Sequence, residues 1–376
     1  MRMTDVSVSR ESLRKALDAF PRCRVSHLPT PLESLERLSA RCGVNLFIKR
    51  DDQTGLAFGG NKARKLDFVM ADVLAQNCKS IITWAGVQSN WCRQLAAAAC
   101  KLGVHPILLL FTRPRLPRSL DGNFLLDLIC DAEIHTLELD SSRKLMSLEG
   151  VKDLVDALVE KESRAGRKAY VAPIGASLME GSMRSPLGGV AYVNGFLELL
   201  EQMEARNRQI DAVVFATGSG STHAGLLVGA QLLSPHTTIV GISVSDSQAE
   251  MRDCVKSIAQ QTWLALAGSG RAFEFCEDDL VVFDQYLHEG YGIPNQSTIE
   301  TIRLLAREEG ILLDPVYTGR ALNGLLDLVK KGYFQPGQNV VFLHTGGMPA
   351  IFVYREDFLK YLSPNGPPQN PADPSA

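Results

Sequence analysis

The segment Phe58-Gly59-Gly60-Asn61-Lys62-Ala63-Arg64-Lys65-Leu66 holds the residue types best suited to chemistry. Two glycines and an asparagine open a predicted helix, and Lys62, Arg64 and Lys65 fall in its first turn. That turn carries the positive end of the helix dipole, so basic side chains there are mildly unfavourable. Three together indicate an anion held nearby, or a lysine used as nucleophile or base. A solvated basic helix start is the plain alternative.

Other loops repeat the theme. Trp84-Ala85-Gly86-Val87-Gln88-Ser89-Asn90 leads from a predicted strand into an alanine-rich helix. Such a helix start offers unpaired N–H groups to a carboxylate or phosphate. Ser89 or Asn90 would equally serve as a simple N-cap. In Thr217-Gly218-Ser219-Gly220-Ser221-Thr222 the glycines allow the backbone N–H groups to turn inward as an anion nest, and the hydroxyls add donors. The dinucleotide pattern G-x-G-x-x-G fails here at His223, and the Gly-Lys-Ser/Thr of a P-loop is missing. Asp314-Pro315-Val316-Tyr317-Thr318-Gly319 and His344-Thr345-Gly346-Gly347 set hydroxyls beside glycine at chain reversals, and Tyr291 lies in a glycine-rich turn. No Ser-His-Asp or H-E-x-x-H pattern is present. Asp51-Asp52 reads as a turn, and His223 and His344 as structural residues.

Composition narrows the classes. Of 376 residues 45% are hydrophobic and 22% charged, with a net charge of −3, which favours neither nucleic acid nor an anionic membrane. No apolar run approaches the ~20 residues of a membrane span. The eight cysteines have no C-x-x-C pair or ligand-like spacing to histidine, so neither a metal site nor a disulfide framework is expected. Met1 to Arg14 lacks the apolar core of a signal peptide, and free thiols suit the cytoplasm. Residues 363–376 hold five prolines among small polar residues and read as a disordered tail.

These residues need elements to position them. Short apolar runs alternate with helical patterns, which predicts mostly parallel α/β sheets flanked by helices. The strands are expected at 45–49, 80–84, 107–111, 133–139, 169–172, 212–216, 238–243 and 340–344. The helices are expected at 62–75, 90–102, 123–130, 142–163, 189–206, 222–232, 297–309 and 319–331. Ligands in such sheets sit beyond the carboxyl ends of the strands, where the loops above fall. Residues 174–189 are the best candidate boundary.

A lysine at a glycine-framed helix start, a phosphate nest and nearby hydroxyls together suit pyridoxal 5′-phosphate. From about Pro21 to Tyr354 the chain resembles the D-cysteine desulfhydrase/1-aminocyclopropane-1-carboxylate deaminase family of fold-type II pyridoxal-phosphate enzymes. The matching segments are His27–Leu32, Ile48–Asp52, Gly59–Lys62, Gln88–Asn90, Thr217–Gly220, Gly290–Pro294, Asp314–Tyr317 and His344–Gly347. The resemblance implies a tryptophan synthase β-like fold of two domains. The large one spans 1–60 and 185–376, the small one 61–184, and the protein is a cytoplasmic homodimer. It implies that Lys62 binds the cofactor covalently and acts as base. Asn61, Asn90, Thr217, Gly218, Ser219, Gly220, Ser221, Thr222, Thr318 and Thr345 contact the cofactor. Ser89 and Asn90 also meet the substrate, Tyr291 and Tyr317 flank it, and Trp91, beside Asn90, is expected to border the same pocket.

Within that family the deaminases carry Glu after the Pro-Val-Tyr tyrosine and Leu before the Gly-Gly. Thr318 and Thr345 match the desulfhydrases instead. A glutamate would keep the pyridine nitrogen protonated and make the ring a stronger electron sink. The expected reaction is β-elimination from a small amino acid, with D-cysteine favoured, giving pyruvate, ammonia and hydrogen sulfide. Alternatives are another β-substituted amino acid (L-cysteate, a D-serine derivative, diaminopropionate), the cyclopropane deaminase reaction, a nicotinamide dehydrogenase, or a non-catalytic binder on the same fold. Trp91 and the long segment Ala176–Ser185 depart from the family pattern.

Overall fold

The computed structural model describes residues 9–112, 119–138, 145–267 and 277–362. Its strands are β1 (Leu32–Ser34), β2 (Asn45–Lys49), β3 (Ser80–Gly86), β4 (His105–Thr112), β5 (Glu133–Glu138), β6 (Ala169–Val171), β7 (Ala212–Thr217), β8 (Thr238–Ser243), β9 (Leu280–Phe283) and β10 (Asn339–Leu343). Between them run α1 (Arg10–Asp18), α2 (Glu36–Cys42), α3 (Lys62–Ala75), α4 (Asn90–Lys101), α5 (Asn123–Ile129), α6 (Lys152–Arg164) and α7 (Leu187–Glu204). The remainder are α8 (Ser221–Leu233), α9 (Gln248–Ala267), α10 (Gln296–Glu309), α11 (Thr318–Lys330), α12 (Ala350–Val353) and α13 (Arg355–Leu362).

The strands form two sheets. One has the order β1-β2-β10-β7-β8-β9, parallel except for β1. The other has the order β5-β4-β3-β6 and is wholly parallel. The second sheet comes from one stretch of chain, and the first from the chain on both sides of it. Helices cover both faces, so alternate residues of one strand enter different cores. In β7, Val214 joins the cluster with Ile48 and Ile242, while Val213 and Phe215 join that with Tyr192 and Phe196. The largest core cluster draws on α3, α4, α7, α8 and α9, and packs the helices of the two sheets together.

Most expected elements lie within two residues of their observed limits. The helix expected at 142–163 begins only at Lys152, behind a 3₁₀ turn over Leu148–Val151. Gly150 favours that turn over a regular helix. Residues 142–144, like the expected tail 363–376, lie outside the described residues. β1 and β9, with three and four residues, are too short to show periodicity. The unpredicted α9 buries Met251, Val255, Ile258, Ala259 and Trp263, which follow a helical repeat. Among the described residues no helix is long and apolar enough to cross a membrane.

Candidate active site

The site forms where four helix starts and the loop after β10 meet. Asn61 N–H donates to Thr345 O at 3.0 Å, and Ala63 N–H to Gln94 Oε1 at 2.9 Å. The chain reaches α3 through Gly60 at φ +133°, a conformation that favours glycine. A Cβ there would lie 2.6 Å from Gln94 Nε2 and 3.2 Å from Thr345 O. The glycine therefore lets the start of α3 close against both α4 and the Thr345 loop.

The three cations of α3 meet different surroundings. Arg64 is buried and donates to Asp51 through Nε and Nη2, each at 2.8 Å. It also donates to Glu198 at 2.9 and 2.8 Å. Tyr192 and Thr30 donate to the same Asp51, and Lys49 to the same Glu198. Asp51 is thus more than the turn residue expected: it anchors α3 to the first sheet and to α7. Lys65 is also buried, yet its Nζ donates to the Ser221 hydroxyl at 2.8 Å and no carboxylate pairs with it among the described residues. Burial and then nearby Lys62 hold its ammonium well below the ordinary value. Among the described residues Lys62 Nζ hydrogen-bonds only to Asn61 Oδ1, at 3.2 Å, and burial pulls its pKa down to about 8.

At the start of α8 no backbone N–H from Gly218 to His223 donates to a protein acceptor among the described residues. Gly220 has φ +83°, and a Cβ on it would sit 3.0 Å from Ile258 Cδ1 and 3.1 Å from Cys254 Sγ. Asn61 Nδ2 donates to Thr222 Oγ1 at 3.1 Å, joining this nest to the Lys62 turn. The Ser221 hydroxyl faces Lys65, Ser177 and Gly175. Thr217 turns its hydroxyl to Met251 Sδ at 3.5 Å, so only its backbone remains for an anion. His223 is buried edge-on to Phe215, and burial pushes its imidazole down to about 3.

Ser89 is the N-cap of α4 and accepts from Trp91 N and Cys92 N, both at 3.2 Å. Its own proton is still available to an acceptor. Asn90 Oδ1 accepts from Arg93 at 3.0 Å and from Asn123 at 3.1 Å, which leaves its amide N–H₂ to donate. Trp91 corrects the sequence reading. It is 2% exposed, packs in the core beneath α4, and donates its indole N–H to Thr83 Oγ1 at 2.8 Å. One position past the helix start the side chain faces the sheet, so Trp91 does not border a substrate pocket.

The Tyr291 and Tyr317 hydroxyls are 2.5 Å apart, their rings edge to face. Burial raises the Tyr317 phenol well above its usual value. Arg320 fixes the turn carrying Tyr291 through Gly290 O and Ile293 O, each at 3.0 Å. Thr318 is the second correction. Its hydroxyl donates to Asp314 Oδ1 at 2.7 Å and accepts from Asp314 N at 2.9 Å, capping α11. Its only proton is spent there and cannot be given to a ring nitrogen. The Thr345 hydroxyl makes no hydrogen bond among the described residues.

An amine that is neutral in good part near pH 8, an unfilled N–H nest beside a buried cation, and an outward-facing amide suit a phosphorylated aldehyde. Arg93, Gln94 and Asn123 were missed by the sequence reading, which marked Lys65 only as one of three basic residues in the turn. Arg93 and Gln94 stand three and four residues after Asn90, and Lys65 three after Lys62. One-face spacing within otherwise apolar helices was the available signal.

The chain belongs to the family of pyridoxal-phosphate dependent enzymes, whose model matches residues 24–346. The fold is that of the fold-type II members. More particularly, it is 39% identical over 348 residues to a D-cysteine desulfhydrase of Klebsiella pneumoniae, covering 90% of this chain and 97% of that one. It is 38% identical to a putative 1-aminocyclopropane-1-carboxylate deaminase of Pyrococcus abyssi, with 92% and 97% covered. A solved structure described as an ACC deaminase homologue superposes with a TM-score of 0.81 at 33% identity, covering 93% and 99%. A solved threonine deaminase, at 18% identity, a TM-score of 0.59 and 90% and 98% coverage, shares the fold.

Proposed function

We propose that this site eliminates the β-substituent of a small amino acid, with D-cysteine as the favoured substrate, releasing pyruvate, ammonia and hydrogen sulfide. The observation that carries the reading is Lys62, which has no carboxylate partner among the described residues and stands beside a nest of N–H groups that none of them fills. Bound here, pyridoxal 5′-phosphate supplies electron withdrawal from the Cα of an attached amino acid.

The chain's own groups do the rest. Lys62 would hold the cofactor covalently, and its amine is placed to take the Cα proton. Gly218, Ser219, Gly220, Ser221 and Thr222 would donate to the phosphate, with the Thr217 backbone at the entry and Lys65 as counter-charge. Asn90 would donate to the ring hydroxyl and the Thr345 hydroxyl would serve the ring nitrogen, while Asn61 braces Lys62 against Thr222. Ser89 and the first turn of α4 bind the substrate carboxylate. Tyr291 and Tyr317, joined hydroxyl to hydroxyl, would supply a proton to the departing group. With no carboxylate at position 318 or 345 the ring nitrogen is not forced to stay protonated, which suits a good leaving group such as a thiolate. The D-cysteine desulfhydrase relatives support the same choice.

The two sheets would act as two domains, 61–184 against 1–60 and 185–376, able to close on substrate. The protein would be a homodimer of the cytoplasm, in keeping with the free thiols of its seven described cysteines. Light scattering tests the dimer. A panel of D- and L-cysteine, L-cysteate, D-serine, β-chloroalanine and 1-aminocyclopropane-1-carboxylate tests the reaction through keto-acid release. The highest kcat/KM is expected for D-cysteine. Best activity on the cyclopropane would overturn the substrate choice, and no keto acid from any of them would overturn the reaction.

A further inference from the structure

The ends of α4 and α5 opposite their site residues carry a pair of thiols. Cys100 lies in the last turn of α4, and Cys130 is the C-cap of α5. The Cys100 thiol donates to Cys130 O at 2.8 Å, and the Cys130 thiol bonds in turn to the Cys100 sulfur. Cys100 is exposed and Cys130 half-buried, so the pair is open to small molecules in solution. Among the described residues no third His, Cys, Asp or Glu joins them in a metal-ligating group.

At their other ends the same two helices meet over the site. Asn123, the first residue of α5, donates to Asn90 Oδ1 at 3.1 Å and accepts from Arg93 at 2.8 Å. α5 is only seven residues long, and of these Asn123, Phe124 and Asp127 are buried. Leu125, Leu128 and Ile129 are exposed, and neither carboxyl oxygen of buried Asp127 has a hydrogen-bond partner among the described residues. So short a helix has little stability of its own, and the orphaned carboxyl lowers it further. The hold of α5 on α4 therefore governs how firmly the Asn90 amide is fixed.

We propose that Cys100 and Cys130 form a dithiol/disulfide site, oxidised by small-molecule disulfides such as oxidised glutathione, whose bond clamps α5 to α4. The Cys100 thiolate attacks one sulfur of the small disulfide, and the other sulfur leaves with the electron pair and takes up a proton. The Cys130 thiolate then attacks the Cys100 sulfur, the Cys100–Cys130 bond forms, and the second small thiol leaves. The two cysteines give up two electrons and two protons, and the small disulfide gains both. The roles follow from the surroundings. Desolvation, then the charge of Cys100, pushes the Cys130 thiol up to about 11. Desolvation also raises Cys100, but the bond from Cys130 offsets part of that smaller rise. Thiolate is scarce on both at neutral pH, so exchange is slow and gains about tenfold per unit of rising pH. Such a pair records a lasting change of redox poise and is not a catalytic thiol.

The test treats the holoenzyme with oxidised glutathione and maps its peptides without reduction, for the wild type, Cys100→Ser and Cys130→Ser. The wild type yields a Cys100–Cys130 linked peptide that dithiothreitol separates. Cys130→Ser stops with glutathione on Cys100, and Cys100→Ser takes up none on Cys130. In the wild type oxidation slows hydrogen exchange of the α5 amides about tenfold or more, because the bond blocks opening of α5 from α4, and in both variants it leaves exchange unchanged. An unmodified wild type, glutathione retained on its Cys100, or a link between other cysteines in place of this pair overturns the site. A linked peptide with unchanged exchange in α5 overturns the clamp.

Discussion

Arg64 and the two lysines beside it share one turn of α3 but have opposite electrostatic fates. Arg64 is enclosed by Asp51 and Glu198. Among the described residues Lys62 and Lys65 meet no carboxylate, only the Asn61 amide oxygen and the Ser221 hydroxyl at the start of α8. A buried cation that meets its carboxylates within the chain is complete and structural. Buried cations that meet only neutral groups, next to backbone donors, create a site that an anion completes. The cost of burying them falls when phosphate binds, so affinity for the cofactor and a less stable apo state have one cause.

Substitutions that exchange the two fates break this comparison most sharply. Lys62→Ala removes the amine that anchors and takes the proton, and kcat/KM falls about 10⁴-fold, the upper range for a positioned base. The apo protein keeps its Tm, because no carboxylate loses a partner. Arg64→Met does the reverse. It leaves Asp51 and Glu198 buried without their cation and costs about 3–5 kcal/mol in denaturant unfolding. Lys65→Met weakens pyridoxal 5′-phosphate binding about ten- to a hundredfold in equilibrium titration, the worth of one charge-assisted bond, while the apo Tm rises or holds.

Acidity sharpens the contrast further. With its pKa lowered to about 8, the Lys62 amine is mostly protonated below that pH. The rate at which apo protein captures the cofactor therefore rises about tenfold per unit up to pH 8 and levels off above it in stopped-flow absorbance. An amine with an ordinary pKa would keep gaining past pH 10. The smallest effect is expected at Trp91. Trp91→Phe loses the bond to Thr83, costs about 1 kcal/mol of stability, and leaves KM within about twofold.

What was legible in the sequence were features that depend on backbone conformation and local order. Gly60 and the glycines of the 218–220 loop mark places where the chain must turn its N–H groups outward, and a sequence shows glycine directly. Side-chain direction is less visible. Trp91 and Thr318 sit beside proposed site positions, but each turns away to a buried partner, Thr83 or Asp314. Asp314 stands only four residues before Thr318 and could have been read as its local partner, whereas Thr83 lies in β3, whose packing against α4 a linear reading does not supply. The same holds for Arg64: its basic character was plain, while Glu198 lies 134 residues further along the chain. Arg93 and Asn123, which turn the Asn90 amide, come together only when α5 packs on α4.

The central claim is that Lys62, and not its buried neighbour Lys65, carries the cofactor. Borohydride reduction of the holoenzyme followed by peptide mapping reads this directly, because reduction fixes the cofactor to whichever amine holds it. The account predicts a phosphopyridoxyl group on the peptide containing Lys62 and on that lysine alone. The modification on Lys65, or no modified lysine in a protein that has taken up the cofactor, would contradict it.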